Sequence, residues 1–236
     1  MHPREPAEAG TTTIERAVRS VPFYFDVVSP YSWLALMEAE SFAARHAVRW
    51  ELRPVVYAAL LEAHGLVGPV ETPAKRRYTM HDVVRAARRR GLRIVGPPAH
   101  PFRSLEALRL LESFRDDPRV LRLAVALADA CWGDGRELTD PEVLRDVLAA
   151  VGLETADLEQ RLSAEPVKQA LRRATEAAIA SGVFGVPTFL LDGELFWGHD
   201  RLDHLAARLA GEPSPREDAE RLLARPAGVV RPGAGR

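Results

Sequence analysis

The chain has 236 residues, 47% of them apolar, and a formal net charge of −1. This length suits one domain with an insertion or two small domains, and the balanced charge gives no general basis for binding nucleic acid. The single cysteine, Cys131, excludes a disulfide framework and a cysteine zinc site, so we interpret it as a small core residue. No apolar run approaches the ~20 residues of a membrane span. These features fit a cytoplasmic protein.

Both ends of the chain differ from the rest in composition. Residues 1–19 carry charges of both signs and no long apolar stretch, which is not the pattern of a secretory signal. Residues 212–236 are rich in Pro, Gly and Arg, with one possible helical turn at 219–224. We expect both segments to be flexible tails.

The first predicted elements are a strand, a helix and a second strand. Apolar residues favour a strand over 21–28, and a helical periodicity follows over 30–46. Ser29 is a good N-cap residue, and Pro30 suits the first helical position. Residues 48–53 alternate as in a strand. The pattern therefore places the Ser29 hydroxyl at the positive end of a helix, where free N–H groups and the helix dipole stabilise an anion.

A helical pattern continues through most of the next 125 or so residues. The predicted helices cover residues 55–64, 74–90, 104–115, 118–132, 140–150, 156–163 and 166–181. The second is strongly basic, with Lys75, Arg76, Arg77, Arg85, Arg88, Arg89 and Arg90 against one acid, Asp82. This face is either a solvated surface or a rim that attracts carboxylate ligands. It lacks the interleaved aromatic residues of a nucleic-acid surface.

The pattern returns to strands after Gly182. Residues 186–191 and 194–198 flank Asp192-Gly193, which is typical of a hairpin turn. A last helix is predicted to run to residue 210, with Asp200 as its cap. We expect the four strands to form one sheet in an α/β domain of residues 20–54 and 183–211, with residues 55–182 as a helical insertion.

In such a sheet, Ser29 would lie close to Val186 and Pro187. A proline that leads a strand is compatible with a cis peptide bond. That bond would turn the N–H and C=O of Val186 toward the open site, where they could pair with the backbone of a peptide-like ligand.

Three segments together resemble a known family. They are residues 25–32 (FDVVSPYS), 182–189 (GVFGVPTF) and 196–202 (FWGHDRL). With these segments, the chain from about residue 23 to 209 resembles 2-hydroxychromene-2-carboxylate isomerases and kappa-class glutathione transferases. The resemblance implies a thioredoxin-like four-stranded sheet with a large all-helical insertion. Related disulfide oxidases have cysteines where this chain has Ser29 and Ser32, which excludes dithiol chemistry there.

The resemblance also implies a function. It indicates a glutathione-dependent isomerase of an aromatic carboxylate such as 2-hydroxychromene-2-carboxylate, acting as a cytoplasmic homodimer in aromatic catabolism. Glutathione is the implied cofactor, and Ser29 is the implied catalytic residue, because its hydroxyl would stabilise the reactive thiolate. The implied glutathione contacts are Lys75, Val186, Pro187 and Asp200, and we predict that His199 contacts glutathione as well. No nucleic acid or membrane partner is expected.

Three positions depart from the usual pattern of the family. Leu66 and Arg103 stand where asparagines are common, and His199 stands where Asn, Gln or Ser is common. Arg103 could bind a carboxylate, and His199 could donate a hydrogen bond to the ligand or transfer a proton. We predict that Tyr31, Arg103 and Trp197 contact the substrate.

Several of these residues are also compatible with a purely structural role. Ser29 and Asp200 could be helix caps only, and Lys75 and His199 could be surface residues. Two further functions are also compatible with the sequence, namely a kappa-type glutathione transferase or peroxidase and a non-catalytic thioredoxin-fold binding protein.

Overall fold

The computed structural model describes residues 17–226, so the predictions for residues 1–16 and 227–236 fall outside the described part of the chain. The strands are β1 (Arg19–Phe25), β2 (Val48–Pro54), β3 (Thr188–Leu191) and β4 (Glu194–Trp197). The helices are α1 (Pro30–His46), α2 (Tyr57–Ala63), α3 (Pro73–Arg89), α4 (Leu105–Ser113), α5 (Val120–Trp132), α6 (Pro141–Ala150), α7 (Leu158–Ser163), α8 (Glu165–Ala180), α9 (Leu202–Leu209) and α10 (Arg216–Leu223). Two 3-10 turns cover Pro69–Glu71 and His199–Arg201.

The four strands form one mixed sheet in the order β2-β1-β3-β4. β1 and β2 are parallel, as expected for strands joined through a helix, whereas β3 is antiparallel to both β1 and β4. Asp192 and Gly193 both have positive φ, at 53° and 78°, which is the conformation of a tight hairpin turn. The single predicted sheet with helices α2 to α8 between β2 and β3 is confirmed.

The core joins the sheet to the helices. Phe23, Phe25 and Trp33 have no exposed surface, and they belong to one apolar cluster that extends into α4, α5 and α6. Cys131 lies in the same cluster, where burial raises the pKa of its thiol to about 12. This agrees with its interpretation as a core residue. Within residues 17–226, none of the helices has the length and apolar character needed to cross a membrane.

Most element ends lie within a few residues of their predicted positions, and one local prediction is wrong. Asp200 is not the cap of the last helix, because it lies inside the turn His199–Arg201 and its side chain caps neither that turn nor α9. In the predicted tail, α10 is a full two-turn helix, and the Arg216 guanidinium donates to the Gly193 carbonyl at 3.2 Å. The division into residues 20–54 with 183–211 and an insertion of 55–182 stays a prediction.

Candidate active site

The junction between β1 and α1 is shaped by a buried carboxylate. Asp26 accepts hydrogen bonds from the N–H of Val28 and the N–H of Tyr57, each at 3.0 Å. The first bond turns the chain directly after β1, so the strand ends at Phe25 rather than at residue 28. Ser29 then caps α1, and its Oγ accepts from the N–H of Ser32 at 3.3 Å.

Two side chains from the helical region hold the same junction from the other side. The Trp132 indole donates to the Val27 carbonyl at 2.9 Å, and His100 Nε2 donates to the Val28 carbonyl at 3.0 Å. Two consecutive carbonyl groups next to Ser29 are therefore fixed by residues about 70 and 105 positions further along the chain. The position of Ser29 thus depends on the β1–α1 junction itself and on side chains from the helical region between β2 and β3.

Ser29 opens onto a cleft of about 1180 Å³ between the sheet end and the helices. The start of α1, the inner side of α3, residues 100–105, residues 186–187 and residues 197–203 all contribute to its lining. The cleft is large enough for a peptide-sized ligand and a small aromatic molecule together.

Val186 and Ser29 meet at one end of this cleft. The Val186–Pro187 peptide bond is cis, one of the two conformations with which the sequence is compatible. The Ser29 hydroxyl donates to the Val186 carbonyl at 3.4 Å, which is a long hydrogen bond. Among the described residues, the Val186 N–H has no hydrogen-bond partner. The Val186 N–H is thus left without a protein partner among these residues, and the Ser29 hydroxyl proton is held only by a long hydrogen bond.

A second group of residues lies where α1 and α3 face the turn after β4. The Tyr31 hydroxyl donates to Asp82 at 2.9 Å, and the Tyr31 ring stacks on the His199 ring with centroids 5.2 Å apart. Burial and the Asp82 carboxylate raise the pKa of Tyr31, so its phenol stays protonated. Burial and the nearby Arg90 lower the pKa of His199.

Two buried titratable groups stand directly behind Ser29. Burial raises the pKa of Asp26 to about 6, although hydrogen bonds from Val28, Tyr57 and Ser104 oppose the shift. Burial also lowers the pKa of His100, whose Nδ1 is buried without a hydrogen-bond partner in the described part of the chain. His100 is therefore a neutral donor at neutral pH.

The structure brings most of the predicted site residues into this cleft. Its lining includes Ser29, Tyr31, Arg103, Val186, Pro187, Trp197, His199 and Asp200. Arg103 pairs with Glu106 at 2.7 Å, and Asp200 pairs with the adjacent Arg201 at 3.2 Å. Lys75 is the exception, because it is exposed in the first turn of α3 and does not line the cleft. Its proposed contact with glutathione stays a prediction.

Sequence reasoning gave no role to several cleft residues. Asp26 had a signal, because it is the one acid in an otherwise apolar strand pattern. His100 and Arg90 had none, since the first lies in a proline-rich loop and the second among many basic residues. Their roles arise from contacts with Val28 and with His199, which are more than 70 residues away in sequence.

Most of the chain matches one known protein family. Residues 20–210 match the family described as the DSBA-like thioredoxin domain. The chain belongs to this family. The thioredoxin-like fold predicted from the sequence is confirmed.

The chain is also similar to proteins of known name over most of its length. It is 29% identical to a 2-hydroxychromene-2-carboxylate isomerase of Sphingobium xenophagum, covering 81% of this chain and 98% of that protein. It is 27% identical to glutathione S-transferase kappa 1 of Rattus norvegicus, covering 83% and 92%. A solved 2-hydroxychromene-2-carboxylate isomerase superposes with a TM-score of 0.73 at 26% identity, covering 88% and 100%. The resemblance drawn from the three segments is confirmed.

Proposed function

We propose that this protein is a glutathione-dependent isomerase of an aromatic carboxylate similar to 2-hydroxychromene-2-carboxylate. The observation that carries the proposal is the meeting of the Ser29 hydroxyl and the unpaired Val186 N–H at one end of a large cleft. The names of the relatives support the same reaction. We further propose that the protein acts as a cytoplasmic homodimer in aromatic catabolism, without a nucleic-acid or membrane partner.

The residues at this end of the cleft fit glutathione. A peptide ligand needs a backbone donor and acceptor, and Val186 offers both beside Pro187. An α-ammonium group needs a carboxylate, and Asp200 is more than half exposed with only the adjacent Arg201 as its partner in the described structure. A thiolate needs a hydrogen-bond donor, and the Ser29 hydroxyl is held at the N-terminus of the 17-residue helix α1.

Glutathione, when bound, supplies a thiolate that adds reversibly to the double bond of the substrate and so allows rotation about that bond. Ser29 keeps its acceptor role toward the Ser32 N–H and redirects its proton from Val186 to the sulfur. This exchange is easy because the Ser29–Val186 hydrogen bond is long. The hydroxyl and the positive end of α1 then favour the thiolate over the thiol.

Three other residues of the cleft lining suit the substrate. Tyr31 and Trp197 provide aromatic surface, and Arg103 provides a guanidinium that can bind a carboxylate. Arg103 must share that role with Glu106, its partner in the structure. These contacts are proposals that rest on the positions of the side chains in the cleft lining.

The second candidate function is a kappa-type glutathione transferase, because relatives with that name match the chain over a similar range. It uses the same thiolate and the same Ser29, but it consumes glutathione. The non-catalytic alternative predicts binding without turnover.

The test follows the ultraviolet spectrum of 2-hydroxychromene-2-carboxylate with and without glutathione, using the wild type, Ser29→Ala and Ser41→Ala. Ser41 is the control, since it is an exposed serine on the same helix. We expect a glutathione-dependent spectral change that Ser29→Ala reduces by about 10²-fold, as for the loss of one transition-state donor. A change with a chlorinated aromatic acceptor alone would favour the transferase. Glutathione binding by calorimetry without either reaction would favour the binding protein.

A further inference from the structure

Arg90 and His199 both line the cleft and contact each other. Arg90 Nη2 lies 3.3 Å from His199 Nδ1, and the Arg90 guanidinium is itself paired with Glu38. The Arg90 side chain also donates to the Ala86 carbonyl at 3.2 Å. The guanidinium is therefore fixed by a carboxylate and a carbonyl while it reaches the histidine.

This contact decides where the proton of His199 sits. A guanidinium is only a donor, so Nδ1 must be the acceptor and carries no proton. A neutral imidazole has one proton, which must then be on Nε2. Protonation of the ring would place a second N–H against Arg90 and break the contact.

The ring plane of His199 is also fixed. It stacks on Tyr31 with an interplanar angle of 13°, and the Tyr31 hydroxyl is in turn held by Asp82. In the described structure Nε2 has no hydrogen-bond partner, while the residue lines the cleft. His199 thus carries a donor of fixed tautomer and fixed plane that no protein group uses.

The groups around His199 come from three elements. Asp82 lies on α3 and Arg90 directly after its end, Glu38 lies on α1, and Asp200 lies in the same turn as His199. Two more arginines, Arg85 and Arg89, line the cleft, and neither has an ion-pair partner within residues 17–226. The three arginines are balanced by three carboxylates, of which Glu38 is paired with Arg90 and Asp82 accepts from Tyr31. In this group of described residues, Arg85, Arg89 and His199 are therefore the donors that remain for a ligand oxygen.

We propose that His199 donates its Nε2–H to the carbonyl oxygen conjugated with the double bond of the bound substrate, and that Arg90 is a positioning residue that holds His199 in this tautomer. The inference rests on the proposed function, adds a second catalytic residue to Ser29, and replaces the glutathione contact that the sequence analysis predicted for His199. The carbonyl group arises when the cyclic hemiketal opens, which breaks its ring C–O bond and passes the hydroxyl proton to the phenol oxygen. When the C–S bond forms, the π-electron pair of the double bond moves toward the carbonyl oxygen, which becomes negatively charged. The pair returns when the C–S bond breaks and the double bond forms again, so no oxidant or reductant is needed.

The direction of the His199 pKa agrees with this role. Burial and the positive charge of Arg90 lower the pKa of His199 below 6.5, against the opposing effect of Asp200, Glu38 and Asp82, so the ring is neutral at neutral pH. A neutral donor keeps its contact with Arg90 while it stabilises the developing negative charge.

The experiment combines nitrogen NMR of ¹⁵N-histidine-labelled protein with kinetics. The variants are His199→Phe, which keeps the stack on Tyr31, His199→Gln, which keeps a side-chain N–H donor, Arg90→Met, and Arg88→Met. Arg88 is the control because it is exposed on α3 and does not line the cleft. The probe ligand is 2-hydroxycinnamate, a stable aromatic carboxylate with a conjugated double bond.

We expect His199 in the wild type to show the Nε2–H tautomer and its Nε2 signal to move when the probe is added. Arg90→Met should give a mixture of tautomers and a higher His199 pKa, whereas Arg88→Met should change neither. His199→Phe should lower kcat by about 10²-fold with unchanged glutathione affinity, and His199→Gln should restore most of the rate.

The outcomes separate this inference from the proposed function. A wild type that isomerises while His199→Phe is equally active would overturn the role of His199 and leave the isomerase intact. An inactive wild type whose Nε2 signal still responds to the probe would support the donor and contradict the isomerase. A protonated ring, the Nδ1–H tautomer, or no response to the probe would overturn the inference by itself.

Discussion

His100 Nε2 donates to the carbonyl oxygen of Val28 at 3.0 Å, so the loop between α3 and α4 fixes the residue directly before Ser29. The other ring nitrogen of His100 is buried and has no partner in the described structure. The neutral imidazole can hold the Val28 carbonyl without penalty. Protonation of Nδ1 would bury a positive charge without a partner, which costs free energy.

We predict that His100→Ala lowers the free energy of unfolding by about 1–3 kcal/mol, because it leaves the buried Val28 carbonyl without its donor. Isomerase activity should fall as well, since the carbonyl that precedes Ser29 is released. His100→Gln keeps an N–H near the position of Nε2 and should recover much of both losses. Chemical denaturation and the glutathione-dependent assay measure the two effects. Equal stability of His100→Ala and wild type would contradict the prediction.

The same contact predicts a pH dependence of stability. The folded protein lowers the pKa of His100 below its ordinary value of 6.5, so the unfolded chain takes up the proton first as the pH falls. The free energy of unfolding of the wild type should therefore decrease below about pH 6.5. His100→Gln should lose less stability over this interval. A parallel pH profile for the two proteins would show that His100 does not contribute.

Titration of Asp26 should change the free energy of unfolding with pH in the direction opposite to that of His100. Its pKa rises from 3.8 to about 6 on folding, so the folded state binds the proton more tightly. Titration of Asp26 therefore contributes about 3 kcal/mol to the free energy of unfolding below pH 3.8, where the carboxyl is protonated in both states. This contribution is lost as the pH rises from 3.8 through about 6. Asp26→Asn does not titrate, so its stability relative to the wild type should improve from pH 4 to pH 7 by roughly this amount. A constant difference across that range would contradict a raised pKa.

The buried hydroxyl of Ser32 should be removable without loss of folding stability. It has no exposed surface, and its Oγ has no hydrogen-bond partner in the described structure. Ser32→Ala should therefore be neutral or stabilising by up to about 1 kcal/mol. Thr175 is the matched contrast, because its buried hydroxyl donates to Leu171 at 2.9 Å and accepts from the Val56 N–H at 3.1 Å. Thr175→Val should lower the free energy of unfolding by at least about 1 kcal/mol. If Ser32→Ala lowered it by a similar amount, the proposed difference between a bonded and an unbonded buried hydroxyl would be refuted.

The backbone conformation of Gly198 should influence glutathione binding through the neighbouring Asp200. Its φ of 118° suits glycine, and a Cβ there would lie 2.5 Å from the Asp200 carboxylate. Gly198→Ala should displace that carboxylate and weaken glutathione binding, as measured by calorimetry. Gly211→Ala is the control, since Gly211 also has a positive φ, 103°, but open space around its Cβ position. Equal glutathione affinity in both variants would exclude this role of Asp200.

The local features of the site could be predicted from sequence because they depend on neighbouring residues. Ser29 and Pro30 set the start of α1, and Asp192 and Gly193 set the hairpin, so both were predicted without tertiary information. The strand pattern then placed Ser29 near Val186. In contrast, the end of β1 was predicted three residues too late, because the turn at Asp26 depends on its carboxylate, which also binds the distant N–H of Tyr57.

Which basic residues of the α3 pattern face the cleft could not be predicted from the sequence. Lys75 and Arg90 belong to the same basic helical pattern, but they differ in the direction they face. Lys75 lies exposed in the first turn, whereas Arg90, just after the last turn, meets Glu38 and His199. Helical periodicity alone does not decide which basic residue faces a cleft, because that depends on how the helix packs against α1 and the turn after β4.

The position of Trp197 has a practical consequence. The chain has four tryptophans, and Trp197 is 52% exposed in the cleft lining, whereas Trp33 and Trp132 are almost fully buried and Trp50 is partly buried. The emission of a solvent-exposed indole moves to shorter wavelength when a ligand excludes water from it. Occupation of this cleft can therefore be followed by intrinsic fluorescence without a label, and Trp197→Phe identifies the responsible signal.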